Sequence, residues 1–288
     1  MPTLTPDPAP SIAQLLAFYL EAGVDCALMD EPVNRLADID TAPARAAADP
    51  VAADAPKRPT LASMQPGVPA RPVLPAKIEV APEVAIAAAR DAARTAPTLE
   101  ALRTLMEAFE GCALKSTATQ LVFADGNPQA RIMFVGEAPG RDEDIEGLPF
   151  VGRSGKLLDK MMAAIGLDRS SAYIANVIAW RPPGNRTPTP QETQICLPFI
   201  QRHIELVNPD ILVTLGNPST QTLLQTRDGI MKSRGRWVDY DTGTRTIRAI
   251  ASFHPAYLLR SPGYKRMAWQ DLRSIAVAMQ APSGRTTT

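Results

Sequence analysis

The sequence predicts an α/β domain with a central, mostly parallel four-stranded sheet and helices on both of its faces. Four short apolar runs have the length and composition of buried strands: 131–136, 172–179, 211–216 and 246–253. The intervening segments are long enough for crossover helices at 154–165 and 191–207, and a helix at 98–109 leads into the first strand. Strands that alternate with helices in this way form a parallel sheet that is covered on both faces.

The predicted folded core occupies only part of the chain, since the composition changes along the sequence. Residues 11–28 have apolar positions at helical spacing, so we predict an N-terminal helix within 1–40. This helix either docks a protein partner or packs on its own domain. Residues 41–82 contain 12 Ala and 9 Pro and predict a disordered linker. The folded domain is then expected at 83–282, followed by a flexible tail at 283–288.

Composition limits the class of protein. The chain of 288 residues has no apolar stretch of membrane-spanning length, and its first residues lack the features of a signal peptide. Three widely spaced cysteines suggest no disulfide framework. We therefore expect a cytoplasmic monomer without membrane contact. Residues 227–288 carry 11 Lys and Arg against 4 Asp and Glu, which fits either a face that binds a polyanion or an ordinary solvated surface.

Each predicted strand runs into an unusual polar residue or loop. Glu137 follows the first strand, Asn176 interrupts the apolar second strand, and His254 follows the fourth. Because the carboxyl ends of parallel strands meet at one edge of a sheet, we expect these three residues to lie together. Nucleotide motifs fail on spacing: the glycine after Gly136 comes only at Gly140, and no glycine stands five positions before the Gly-Lys pair at 155–156.

Three motifs resemble those of one enzyme family in both order and spacing. They are GEAPG…EDxxGxPFVGxxG from residue 136, N-x-x-x-x-RPPxNRxP from residue 176, and FHPAYLLR from residue 253. Together they resemble the family-four uracil-DNA glycosylases, of the iron–sulfur type, over residues 105–280. The resemblance implies a monofunctional DNA N-glycosylase that flips deoxyuridine out of DNA and hydrolyses its N-glycosidic bond. It would release uracil and leave an abasic site in base-excision repair.

The resemblance also implies roles for individual residues. Glu137 and His254 would be catalytic, with His254 donating a hydrogen bond to uracil O2. Phe150 would stack on the flipped base and Asn176 would bind its edge, whereas Leu258 would enter the space that the base leaves. The remaining substrate-binding residues would be Gly136, Ala138, Pro139 and Gly140. The remaining DNA-binding residues would be Arg181, Arg186 and Arg260, with Lys265 and Arg266 as further phosphate contacts. The best-known relatives carry an aspartate where this chain has Ala138, so water activation by Glu137 is less well supported than its presence in the site.

The chain departs from the family at the iron–sulfur cluster. Cys112 and Cys196 match two of the four cluster cysteines, but Lys115 and Trp180 replace the other two. A 4Fe–4S cluster needs four thiolates, so we expect no cofactor and no metal, with Trp180 filling the volume. The other histidine, His203, is expected on the surface of a helix.

Loss of the cluster ligands leaves an alternative function open. The chain could be a catalytically silent protein that binds DNA or a protein partner on a glycosylase scaffold. Retention of Glu137, Asn176 and His254 argues against that alternative. A nucleotide-dependent enzyme has no motif in its favour.

Overall fold

The computed structural model describes residues 82–284. The α-helices are α1 (Pro82–Thr95), α2 (Leu99–Ala108), α3 (Arg141–Glu146), α4 (Arg153–Ala163), α5 (Pro190–Val207), α6 (Asn217–Leu223), α7 (Ile230–Ser233), α8 (Pro255–Arg260) and α9 (Lys265–Met279). The strands are β1 (Asp125–Gly126), β2 (Ile132–Gly136), β3 (Tyr173–Asn176), β4 (Ile211–Leu215), β5 (Trp237–Asp241) and β6 (Thr246–Ser252). Short 3₁₀ turns lie at Ala113–Ser116, Pro183–Asn185 and Pro262–Tyr264.

The strands form one sheet in the order β1-β3-β2-β4-β6-β5. Its four central strands, β3, β2, β4 and β6, are parallel and coincide with the four predicted runs, which confirms the predicted fold class. Two antiparallel edge strands, β1 and β5, were not predicted from the sequence. Strand β1 has only two residues, and most of β5 is exposed, so neither shows the apolar run of a buried strand.

Alternate residues of each central strand enter cores on opposite faces of the sheet, as the two-residue period of a strand requires. In β2, Met133 and Val135 pack in the core that α1, α2 and α5 cover. Ile132 and Phe134 pack in the opposite core, under α4 and α9. The predicted helices at 98–109, 154–165 and 191–207 correspond to α2, α4 and α5.

Helix starts carry local sequence features that explain their positions. The Thr98 hydroxyl accepts the Ala101 N–H at 3.2 Å and caps α2. At the start of α5, Thr189 and Glu192 form a reciprocal capping box, and Pro190 occupies the first helical position. These caps fix where α5 leaves the loop that follows β3.

The prediction for His203 was wrong. The residue does lie on helix α5, but it is only 3% exposed. Its ring stacks on Phe123 with centroids 4.4 Å apart, and Nε2 lies 2.7 Å from the Tyr173 hydroxyl. Burial lowers the pKa of His203 to about 3, so the ring is neutral and serves as a core residue.

Some predictions fall outside the described residues. The N-terminal helix within 1–40 and nearly all of the linker at 41–82 precede Pro82, although Pro82 itself begins α1. The domain limits of 83–282 stay a prediction. None of the helices between Pro82 and Gly284 is both long and apolar enough to cross a membrane.

Candidate active site

The carboxyl ends of the parallel strands surround a cavity of about 650 Å³. The chain passes from β2 to β3 on one side and then returns to β4 on the other, so the winding reverses between β2 and β4. Open α/β sheets have a crevice at such a point. The cavity is lined by residues from the end of each parallel strand: 137–140 after β2, Asn176 of β3, 216–218 after β4 and His254 after β6. The structure thus brings Glu137, Asn176 and His254 to one site.

Phe150 forms the aromatic wall of this cavity. It lies in the turn between α3 and α4 with a φ of 56°, a left-handed conformation that bulky residues rarely adopt. Its ring is 4% exposed and stacks against His254, with centroids 5.4 Å apart. Gly136 lies against the ring, and a Cβ added to Gly136 would be 2.6 Å from Phe150 Cζ. Gly136 therefore makes space for the ring rather than lining the cavity.

Asn176 ends strand β3 beside Gly136, its partner in the parallel register. A Cβ at Gly136 would also lie 2.4 Å from Asn176 Oδ1, so this glycine admits both side chains. Asn176 is 7% exposed, and its carboxamide forms no hydrogen bond with another described residue. Because Asn176 lines the cavity, its amide donor and acceptor are available to a ligand there.

His254 is held as a neutral hydrogen-bond donor. It occupies the N-cap of α8, and its Nδ1 accepts the Ala256 N–H at 3.1 Å. In the neutral ring the proton therefore sits on Nε2. Burial lowers the pKa of His254 to about 4, and the positive charge of Arg260 adds to this effect. At neutral pH, His254 is an uncharged Nε2–H donor.

Glu137 follows β2 directly and contributes a carboxyl group to the cavity. No described Lys, Arg or His forms an ion pair with it, and burial raises its pKa above the usual range. Ala138, Pro139 and Gly140 continue the same wall of the cavity. Glu137 is thus a carboxyl group without an ion pair among the described residues, in the same cavity as the neutral imidazole.

The three arginines predicted to bind DNA differ in their surroundings. Arg260 lines the cavity, is exposed, and has no ion pair with a described residue. Arg186 forms a bidentate pair with Glu192 at 2.8 and 2.6 Å. Arg181 donates to Asn185 Oδ1 at 2.7 Å, and its Nη1 lies 3.8 Å from the Asp144 carboxylate. Arg260 is therefore the one of the three whose charge is free for a phosphate.

Leu258, predicted to enter the space that the base leaves, is buried in this structure. This residue is 1% exposed and packs in the core beneath α9, whereas the next residue, Leu259, is 37% exposed. Successive residues on a helix point about 100° apart, so only one of them can face outward. Leu259 has more free surface than Leu258, and which of the two enters DNA stays a prediction.

The matches to known proteins agree with the arrangement of this site. The family model of the uracil DNA glycosylase superfamily matches residues 123–273, which include all four parallel strands. The chain belongs to the uracil-DNA glycosylase superfamily. It is 40% identical over 168 residues to a type-4 uracil-DNA glycosylase of Archaeoglobus fulgidus, covering 57% of this chain and 84% of that protein. It is 42% identical over 164 residues to a type-4 uracil-DNA glycosylase of Thermotoga maritima, covering 56% and 84%.

This member of the uracil-DNA glycosylase superfamily has an unusual set of side chains where the resemblance implies an iron–sulfur cluster. Cys112 and Cys196 are both buried, with their Sγ atoms 3.9 Å apart. Lys115 instead donates to the Glu107 carbonyl and to a neighbouring carboxylate, each at 2.6 Å, and Trp180 is 1% exposed. Two thiols, an ammonium group and an indole do not fit a cluster that needs four thiolates.

Some residues that shape the glycosylase-like site were not predicted from the sequence. Asn217, the first residue of α6, lines the cavity, and its Oδ1 is buried without a hydrogen-bond partner among the described residues. Glu143 accepts the Gly140 N–H at 3.0 Å at the start of α3. It also accepts the N–H groups of two residues that follow Phe150. No local sequence pattern predicts these contacts between separate loops.

Proposed function

We propose that this protein is a uracil-DNA glycosylase that hydrolyses the N-glycosidic bond of deoxyuridine in DNA. The observation that carries the proposal is the content of the cavity. One space of about 650 Å³ combines an aromatic wall, an unpaired carboxamide, a neutral imidazole donor and an unpaired carboxyl group. These are the groups that recognition of an extruded base and displacement at its sugar require.

Recognition of uracil follows from Phe150 and Asn176. A base that has left the duplex loses its stacking partners, and the Phe150 ring offers a replacement surface. The Asn176 carboxamide can donate to uracil O4 and accept from N3–H. Cytosine presents a donor and an acceptor in the opposite positions, so the same amide orientation would reject it.

Bond cleavage places negative charge on the base and positive charge on the sugar. The C1′–N1 bond breaks, and its electron pair stays with uracil. As negative charge develops on uracil O2, this oxygen accepts a hydrogen bond from the His254 Nε2–H group. Water then bonds to C1′ and releases a proton. An ionised Glu137 either takes this proton or stabilises the cationic sugar.

We also propose that the enzyme works without an iron–sulfur cluster, a metal or a cosubstrate. The support is chemical: two of the four positions hold Lys115 and Trp180, and Lys115 is engaged by hydrogen bonds within its own segment. Nothing in the proposed reaction requires a redox step. The product pair would be free uracil and an abasic site in DNA.

The test is uracil release from a labelled oligonucleotide with a single deoxyuridine, with EDTA present, on single- and double-stranded substrates. We expect release by the wild-type chain and a loss of about 100-fold or more for Asn176→Ala and His254→Ala, since each removes an interaction aimed at the reacting base. Glu137→Gln should also lose most activity. The matched control is Glu146→Gln, an exposed residue of the same type at the end of α3.

The results separate the two functions under consideration. Loss of uracil release in the variants of Glu137, Asn176 and His254, together with normal release by Glu146→Gln, supports the glycosylase function. Binding of uracil-containing DNA without any release would instead support the catalytically silent scaffold. Near-normal rates in the His254→Ala and Asn176→Ala variants would refute the site assignment.

A further inference from the structure

The backbone of Phe150 is held by two charged side chains, Arg169 outside the cavity and Glu143 on its wall. A residue with a φ of 56° and a large side chain reverts to a commoner conformation unless its surroundings prevent it. Both neighbouring peptide groups of Phe150 have strong partners here. The contacts divide into one set to carbonyl oxygens and another to N–H groups.

Arg169 holds the carbonyl side. Its Nη1 donates to the Pro149 carbonyl at 3.2 Å, and its Nη2 donates to the Phe150 carbonyl. The same guanidinium is fixed by two carboxylates: Asp125 accepts from Nη1 at 2.5 Å and Asp159 accepts from Nε at 2.9 Å. Five donors in a rigid plane allow Arg to hold all four acceptors, which the three donors of Lys cannot do in the same geometry.

Glu143 holds the N–H side. Its Oε1 accepts the Val151 and Gly152 N–H groups, both at 3.1 Å. Helix α4 also presses on this turn, because a Cβ at Gly155 would lie 1.6 Å from the Phe150 carbonyl oxygen. The turn is therefore held through the carbonyls of Pro149 and Phe150, through the N–H groups of the two residues that follow, and by the facing helix.

We propose that Arg169 is a positioning residue that fixes the left-handed backbone of Phe150 and thereby directs its ring toward the base. The inference rests on the proposed function, in which that ring receives uracil. Arg169 does not line the cavity and touches no group of the proposed reaction. Its effect on excision passes through the Phe150 ring, with Asp125 and Asp159 setting the orientation of the guanidinium.

The chain offers a matched control in Arg131. Arg131 also donates from Nε to a carboxylate, Asp210, at 2.7 Å, and from its two Nη atoms to the carbonyls of Met279 and Ala281 at 3.2 and 2.7 Å. It precedes β2, at the amino end of the sheet, and holds no residue of the cavity. Arg131→Lys therefore removes a similar set of hydrogen bonds without affecting Phe150.

The experiment compares Arg169→Lys with Arg131→Lys in the full chain. We expect similar falls in melting temperature for the two variants. The single-turnover excision rate at saturating DNA should fall about tenfold or more for Arg169→Lys, because a displaced Phe150 ring would hold the base in the wrong position. Arg131→Lys should stay within about twofold of the wild type. DNA affinity, measured by anisotropy with a non-hydrolysed 2′-fluoro deoxyuridine oligonucleotide, should be unchanged in both.

A double-variant cycle tests whether Arg169 acts through the ring. In a Phe150→Ala background, Arg169→Lys should cause no further loss of rate, since the ring that it positions is gone. A full further loss there, or equal rates for Arg169→Lys and Arg131→Lys, would overturn the proposal. If Arg169→Lys does not fold, Asp159→Asn loosens the same guanidinium through its most exposed partner, and a rate equal to wild type would be the refuting result. An inactive wild-type chain would refute the proposed function instead.

Discussion

Replacement of Trp180 by alanine should destabilise the domain strongly. Trp180 is 1% exposed and is among the largest fully buried side chains of the described residues. It packs in the same core as Cys112, Cys196 and Phe199. A buried tryptophan removes about 150–250 Å² from water, which at about 25 cal/mol/Å² gives an upper limit of about 4–6 kcal/mol. We expect Trp180→Ala to lower the free energy of unfolding by about 3–5 kcal/mol.

The assay is urea unfolding followed by circular dichroism, with Trp269→Ala as the control. Trp269 is 43% exposed on α9, so its removal should cost less than about 1 kcal/mol. The wild-type midpoint should not change when iron chelators are added, because packed indole takes the place of the cluster in our proposal. Equal costs for the two tryptophans would refute the packing argument. Stoichiometric iron together with chelator-sensitive unfolding would refute the absence of a cluster.

Three further predictions concern DNA binding and catalysis. Leu259→Ala should lower the rate of excision from duplex DNA more than from single strands. Leu258→Ala should instead lower the free energy of unfolding by about 2–5 kcal/mol. A selective loss of duplex excision in Leu258→Ala, without loss of stability, would identify Leu258 as the inserted residue. Arg260→Gln should weaken DNA binding and reduce the slope of log affinity against log salt by about 1, and an unchanged slope would exclude a phosphate contact. The excision rate should rise with pH through the raised pKa of Glu137, since only the carboxylate can serve either proposed role. Glu137→Gln should abolish that rise, and a persisting rise would place the ionisation on another group.

The parallel core of the fold could be predicted because its signal is local. Each central strand is mostly apolar, as strands buried on both faces must be, with Arg248 of β6 as the main exception. The edge strands could not be predicted in this way, because β5 is largely exposed and its pairing with β6 depends on the tertiary fold. His203 shows the same limit: a single His on a helix gives no sign that Tyr173 and Phe123 will enclose it.

Convergence of the site was predictable for a topological reason, whereas its supporting contacts were not. Glu137, Asn176 and His254 each stand at the end of a parallel strand, so the sheet alone brings them together. Arg169 reaches Asp125 across 44 positions and supports Phe150 from 19 positions away. Such contacts depend on how loops pack, and the sequence around Arg169 contains no pattern that predicts them.

Burial in the cavity affects the two proposed catalytic groups in a related way. Loss of water disfavours the charged form of each, so the pKa of His254 falls while the pKa of Glu137 rises. For His254 this keeps the imidazole neutral, and the bond from the Ala256 N–H leaves its proton on Nε2. For Glu137 a higher pKa makes the ionised carboxylate a stronger proton acceptor. One desolvated cavity therefore favours both a neutral donor for the leaving base and a stronger base for water, although the two side chains lie 117 positions apart in sequence.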